Sequence, residues 1–239
     1  PVMRLLQRSR RWTGALLAYA AACLSKTAAL PFPLAWWAMV RFLPLPAARR
    51  WSLADRLPFL LVMGALAWAQ ASVSLAAGAA GTYQGAEGLR QALATPAGTL
   101  LDQVGALLLP LGLSPVYPQS AGAWGLLRWA GLLAGLWILL RAPAPARAGL
   151  AWMLLFFLPV IGLGLATSTP RADRYAFLPS MGFCLAAGAL LAAAWDRLRL
   201  RVAGLVLLWA LLAWTQGLRW RDDASLWRPA LRLDPGSLH

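Results

Sequence analysis

Residues 171 to 175 read Arg-Ala-Asp-Arg-Tyr, and they interrupt an otherwise apolar stretch, PVIGLGLATSTPRADRYAFLPSMG, that runs from Pro159 to Gly182. Two guanidinium groups flank a carboxylate, with a phenol beside them. Arg171 and Arg174 offer bidentate donors suited to a phosphate or carboxylate, and Asp173 can orient them. The same residues also suit a plain loop pinned by an Asp–Arg pair. Both readings are open on the residues alone. Lys26, between two short apolar runs, either snorkels to a membrane interface or projects into a cavity. Tyr117, in the loop Leu113-Ser114-Pro115-Val116-Tyr117-Pro118, reads as an interfacial anchor or a site residue.

Other chemistry is sparse. There is no G-x-S-x-G, no Cys/His pairing and no glycine-rich phosphate loop or dinucleotide fingerprint. The single histidine is His239, so histidine-based triads and His-rich metal sites are excluded within this sequence. Cys23 and Cys184 both lie in apolar runs and read as inert thiols. Asp55 and Asp196 sit among arginines, in structural charge clusters, while Asp222 and Asp223 suit the start of a helix.

The elements that must position these residues follow from composition. The chain has 239 residues, of which 60% are hydrophobic and only 13% charged, with a mean hydropathy of +0.61. A soluble domain is about a quarter charged. The reading is an all-α, polytopic transmembrane helical bundle whose first partner is the lipid bilayer. The formal charge of +14 does not indicate nucleic acid, because the arginines fall in short patches between apolar segments, the pattern that sets membrane topology. The chain begins at Pro1 and ends at His239 in mid-pattern, which reads as a fragment with sequence missing on both sides.

In order, a basic opening (Arg4, Arg8, Arg10, Arg11) precedes the apolar residues 12–24, the Lys26 segment and a second apolar run to Val40. These are either a tight hairpin with Lys26 near its outer turn or one long broken element. The return to a basic patch at Arg41, Arg49, Arg50 and Arg56 favours the hairpin. Residues 57–77 span outward. Residues 97–111 are apolar but carry Asp102 and Gln103, and suit a helix lying in the interface or dipping partly in. Further spans are expected at 124–140, 148–166, 177–195 and 202–218, with basic turns around Arg141 and Arg147 and at Asp196–Arg201. Seven spans satisfy every loop, and more than half of the 22 positive residues then lie inside. Residues 219–239 leave on the outer side as an amphipathic segment closed by Leu233-Asp234-Pro235-Gly236.

Four stretches, LSKTAALPFPL (24–34), LPLGLSPVYP (109–118), FFLPVIGLGLATSTPRADRYAFLPSMG (156–182) and WRDDASLWRPALRLDP (220–235), occur in one order. Together they resemble bacterial membrane glycosyltransferases of the GT-C type that carry tetratricopeptide repeats, similar to the transmembrane-and-tetratricopeptide O-mannosyltransferases of the eukaryotic endoplasmic reticulum. Thr27 follows Lys26 where that family has an acidic residue or a proline. The resemblance implies that residues 1–218 are the C-terminal half of a GT-C-like domain and that 219–239 begin the repeats. It further implies transfer of a sugar from a polyprenyl-phosphate donor to a protein or glycan acceptor on the outer face of a bacterial inner membrane. The catalytic carboxylate would lie upstream of Pro1. Arg171, Asp173, Arg174, Tyr175, Lys26 and Tyr117 would contribute to substrate binding. Some such enzymes use a divalent metal, and no residue here identifies one. The competing expectation is a non-catalytic anchor that presents repeats for protein binding.

Overall fold

Leucine- and alanine-rich runs form the helices; proline and charge mark several of their ends, although Pro58 lies within α3 and four arginines lie within α1. The computed structural model describes residues 2–43, 53–76, 98–111, 113, 125–159 and 173–233, and among them every regular element is helical, with no strand. The helices are α1 (Val2–Ser25), α2 (Phe32–Phe42), α3 (Leu53–Ala76), α4 (helical residues 98–108), α5 (Gly125–Arg141), α6 (Ala144–Phe157), α7 (Phe177–Gly217) and α8 (Asp223–Leu233).

Residues 12–40 form the hairpin. The Lys26 amide donates to the Ala22 carbonyl (2.8 Å) to close α1, and the Lys26 carbonyl accepts from the Ala29 amide (3.0 Å) in the 3-10 turn Thr27–Ala29. Pro31 and Pro33 then start α2, where a missing N–H costs nothing. The Tyr19 hydroxyl donates to the Leu30 carbonyl at 2.8 Å. One unbroken helix would hold those residues about 16 Å apart. α3 returns alongside α1, with Tyr19, Cys23 and Phe59 buried among Trp12, Leu16, Val62, Met63 and Leu66.

α7 is two arms, not one rod. Leu198 leaves helical geometry (φ −130°, ψ 21°), and the Phe183 and Trp209 rings meet at 5.6 Å. A straight helix would place those rings on the order of 40 Å apart. The chain therefore doubles back where Asp196, Arg197, Arg199 and Arg201 sit, all exposed, at the turn expected from their charge.

The core is the contact of α6 with the first arm of α7, with α2 packed on α6. Gly149 and Gly182 face each other so closely that a Cβ on Gly182 would lie 2.6 Å from the Met153 amide nitrogen. A Cβ on Gly149 would lie 3.0 Å from the Ala186 Cβ. Small residues spaced i, i+4 let helix backbones approach to this range. Ala146 and Ala148 of α6 are fully buried, as is Ala35 of α2. α2 and α6 are antiparallel: Phe32 meets Trp152 (centroids 6.1 Å, 82°), and Phe42 lies under the Arg147 guanidinium (5.2 Å).

Some expectations change. The basic opening to Arg11, expected as a cytoplasmic loop, is helical and begins α1 at Val2. α6 starts at Ala144, four residues before the expected 148, because Pro143 and Pro145 suit a helix start. Arg147 is therefore in a helix rather than in the turn, which shrinks to Ala142 and Pro143. α6 ends at Phe157, before Pro159, and residues 160–172 lie outside the described residues. α4, expected to lie in the interface or dip partly in, packs into the bundle. Leu100 joins Met153 and Phe157 in a buried cluster that also takes in Val104, Leu107 and Phe183, and Gln103 is only 2% exposed. Packing on α6 and on both arms of α7 outweighs the polarity of its sequence; the Trp209 indole N–H donates to the Leu108 carbonyl at 2.7 Å.

The molecule has two unlike ends. One collects the Lys26 turn, the end of α6 and the start of α7. The other collects Arg41, Arg56, Arg141, Arg147 and the Arg197–Arg201 turn. Among the described residues, two stretches are long and apolar enough to cross a membrane: Arg56–Val73, and Phe177–Trp220 across both arms of α7. Only 6% of the first window and 17% of the second are buried in the protein. The core helix of a soluble domain would be mostly buried. Here Leu61, Trp68, Val73, Leu200 and Trp214 face outward, so their apolar surface meets the surroundings.

α8 starts as its sequence suggests. The Asp222 carboxylate accepts from the Ser225 amide (2.8 Å), the N-cap bond, and the Asp222 carbonyl accepts from the Leu226 amide (3.1 Å).

Candidate functional site at the Lys26 end

The charged stretch that opened the sequence reading ends in a 3-10 turn, Asp173–Ala176, which runs straight into α7. Pro179, in the first turn of that helix, sits where a missing N–H is tolerated, and it is buried. Tyr175 is half-buried and engaged with a neighbour. The backbones of Asp173 and Arg174 belong to this turn, while their side chains, and all of Arg171 and Tyr117, lie outside the described residues. Lys26 sits exposed in the turn between α1 and α2.

The structure brings the Lys26 turn and the Asp173–Ala176 turn to the same end through one residue, Trp152. Its ring meets Phe32, the first residue of the helix that follows Lys26, and its indole N–H donates to the carbonyl of Leu178 at 3.0 Å. Leu178 is the second residue of the helix that follows Tyr175. Phe156 backs the indole at 4.8 Å. α2 and α7 begin here while α1 and α6 end here, so the opposed helix dipoles largely offset one another and Lys26 supplies an exposed positive charge. Loss of the indole bond in Trp152→Phe is expected to cost about 1 kcal/mol. In thermal unfolding of the detergent-solubilised protein it appears as a Tm lower by a few degrees, and an unchanged Tm would show that the bridge carries no weight.

Two more segments reach this end. The Arg219 guanidinium donates to the Leu113 carbonyl at 3.4 Å, which ties the chain just ahead of the Tyr117 loop to the 3-10 turn Leu218–Trp220. Four connections thus share one end: those at Lys26, at 109–113, at Asp173–Ala176 and at Leu218–Trp220. The arrangement gathers Lys26 and Arg219, whose positive charge suits an anion. It holds no metal by any visible ligand set, since no three His, Cys, Asp or Glu side chains cluster among the described residues.

Sequence reasoning passed over Trp152, Trp209 and Arg219, whose donors lock carbonyls across the fold. With 14 tryptophans in the chain, nothing in their spacing singles out the two that bridge. Gln216 was passed over as well. It is 7% exposed, and its side-chain oxygen has no hydrogen-bond partner among the described residues.

No protein-family model matches the chain, and no curated protein or solved structure matches it significantly.

Proposed function

We propose that the chain is part of an integral-membrane glycosyltransferase of the GT-C type, which moves a sugar from a polyprenyl-phosphate donor to an acceptor on the extracytoplasmic face. The observation that carries the reading is the convergence of the Lys26 turn and the Asp173–Ala176 turn on one end, through Trp152, with the arginine-rich turns at the other. The arginine end faces the cytoplasm in this reading, in line with the positive-inside rule. α1, α2, α3, α5, α6 and the two arms of α7 then supply seven crossings. α2 and α6, at 11 and 14 residues, are shorter than the roughly 20 a lone span takes. They pack on each other, and α6 packs on α7 as well, so protein covers part of their surface.

In the transfer step the acceptor oxygen attacks the anomeric carbon, and the bond from that carbon to the phosphate oxygen breaks. Negative charge grows on the departing phosphate. Arg171 and Arg174 are, in this reading, the groups to receive it, and donors aimed at developing charge commonly supply the largest share of such catalysis. The base that takes the acceptor's proton lies upstream in this reading, and residues 219–239 begin the repeats that engage the acceptor. The test is sugar transfer by the full-length protein carrying Arg174→Ala: a large loss at unchanged membrane abundance supports the reading, and unchanged transfer removes it. An Asp222-capped amphipathic helix leaving the same end also suits an anchor that displays repeats. The same variant separates the two, since an anchor has no transfer to lose.

A further inference from the structure

The arginine end carries a feature that sugar transfer does not use. Between α2 and α3 lies a groove of about 190 Å³. Its walls include Leu34, Trp37 and Val40 from α2 and Phe59 and Leu60 from α3, and its charged lining residue is Arg56. The Arg56 guanidinium lies 5.5 Å over the Trp37 ring. That contact uses one side of a planar ion whose N–H donors point outward along its edges. Among the side chains the structure describes, which do not include that of Asp55, no carboxylate pairs with Arg56. Arg41, next after Val40 in the last turn of α2, is exposed at the same end and adds a second positive charge.

We propose that this groove holds one acyl chain of an anionic phospholipid whose phosphate sits on Arg56. The inference rests on the membrane-integral reading given above. A free anion would have no use for the apolar walls, and a purely apolar ligand would have none for the guanidinium. A zwitterionic lipid carries its own ammonium beside the phosphate, so net attraction to a positive end favours the acidic headgroup. The tryptophan beside the arginine matches the headgroup boundary, where indole rings concentrate. The groove runs along α2 from Pro33 to Val40, and its headgroup residue Arg56 lies at the end opposite the Lys26 turn, so the lipid is a structural partner rather than the sugar donor.

The experiment is native mass spectrometry of the full chain, released from detergent with dioleoylphosphatidylglycerol, with dioleoylphosphatidylcholine or with inorganic phosphate. The wild type is expected to retain the glycerol lipid about fivefold better than the choline lipid, the worth of roughly one basic residue near an anionic headgroup. Arg56→Ala should bring the two lipids to parity, Arg56→Lys should keep most of the preference, and Val40→Trp, which fills the groove, should lower retention of both. Should Arg56→Ala fail to fold, the lysine and tryptophan variants carry the same test. Equal retention by the wild type, an unchanged preference in Arg56→Ala, or displacement of the lipid by millimolar phosphate would each overturn the site. Carbonate extraction of native membranes tests the underlying reading separately: a protein released by carbonate defeats the membrane assignment, whereas one that stays embedded without lipid preference defeats only the groove.

Discussion

Gly182→Val is expected to abolish the native bundle. The valine Cβ would enter at 2.6 Å from the Met153 amide nitrogen and 2.9 Å from the Trp152 indole, and the first of these is backbone that has no rotamer to escape into. α6 and α7 would have to part along the most extensive helix contact in the described fold. Overpacking usually costs 1–3 kcal/mol. Here the shift also strips the Trp152 bond to Leu178 and the burial of Met153 and Phe157, so about 3 kcal/mol or more is expected. The readout is loss of the monodisperse species in size-exclusion chromatography, or a steep fall in Tm. Gly188→Ala is the control. A Cβ at Gly188 meets nothing within 4 Å, and alanine stabilises an open helical position by roughly 0.5–1 kcal/mol. Were Gly182→Val as stable as Gly188→Ala, the α6–α7 contact described here would be wrong.

Arg174→Ala carries the largest expected effect on activity. If its guanidinium receives the charge of the departing phosphate, removing it takes away an interaction made mainly in the transition state. Loss of one such donor costs on the order of 100- to 1000-fold in kcat, with a smaller change in KM. Arg174→Lys should recover part of that rate, because it restores the charge without the bidentate fork. A merely structural Arg174 would show a different pattern, with lower abundance or Tm for both variants and an unchanged rate per folded molecule. Arg171→Ala, three residues earlier in the sequence, is expected to behave alike in direction.

Much of the course of the chain was legible because charge cannot be left within hydrocarbon. Arg41 with Arg56, and the group from Asp196 to Arg201, marked one end, and the structure turns the chain there. Lys26 with two following prolines marked the opposite turn, and the bond from Tyr19 to Leu30 shows it as a hairpin rather than a broken helix. Packing was less legible. The polarity of Asp102 and Gln103 argued for a helix at an interface, yet Gln103 is buried because Leu100 on the same helix docks against Met153 and Phe157. Periodicity reports which residues share a face, not which neighbour covers it. The small-residue spacing at Gly182 and Ala186 was present in the sequence, but among 21 glycines nothing marked Gly149 as its partner. The candidate site was legible as residue types. What joins its turns, Trp152, was not, since a tryptophan in an apolar helix looks the same whether it faces lipid or a carbonyl.

The most direct measurement of the two-ended arrangement is cysteine accessibility from each side of the membrane. In a background carrying Cys23→Ala and Cys184→Ala, single cysteines would be placed by Lys26→Cys, Ala172→Cys and Arg199→Cys and challenged with a membrane-impermeant maleimide on intact cells. Cysteines at 26 and 172 are expected to label from outside, and the one at 199 only after the membrane is opened. Labelling of 26 and 172 from opposite sides, or of 199 from the same side as either, would contradict a site formed by the Lys26 and Asp173 turns at the extracytoplasmic end.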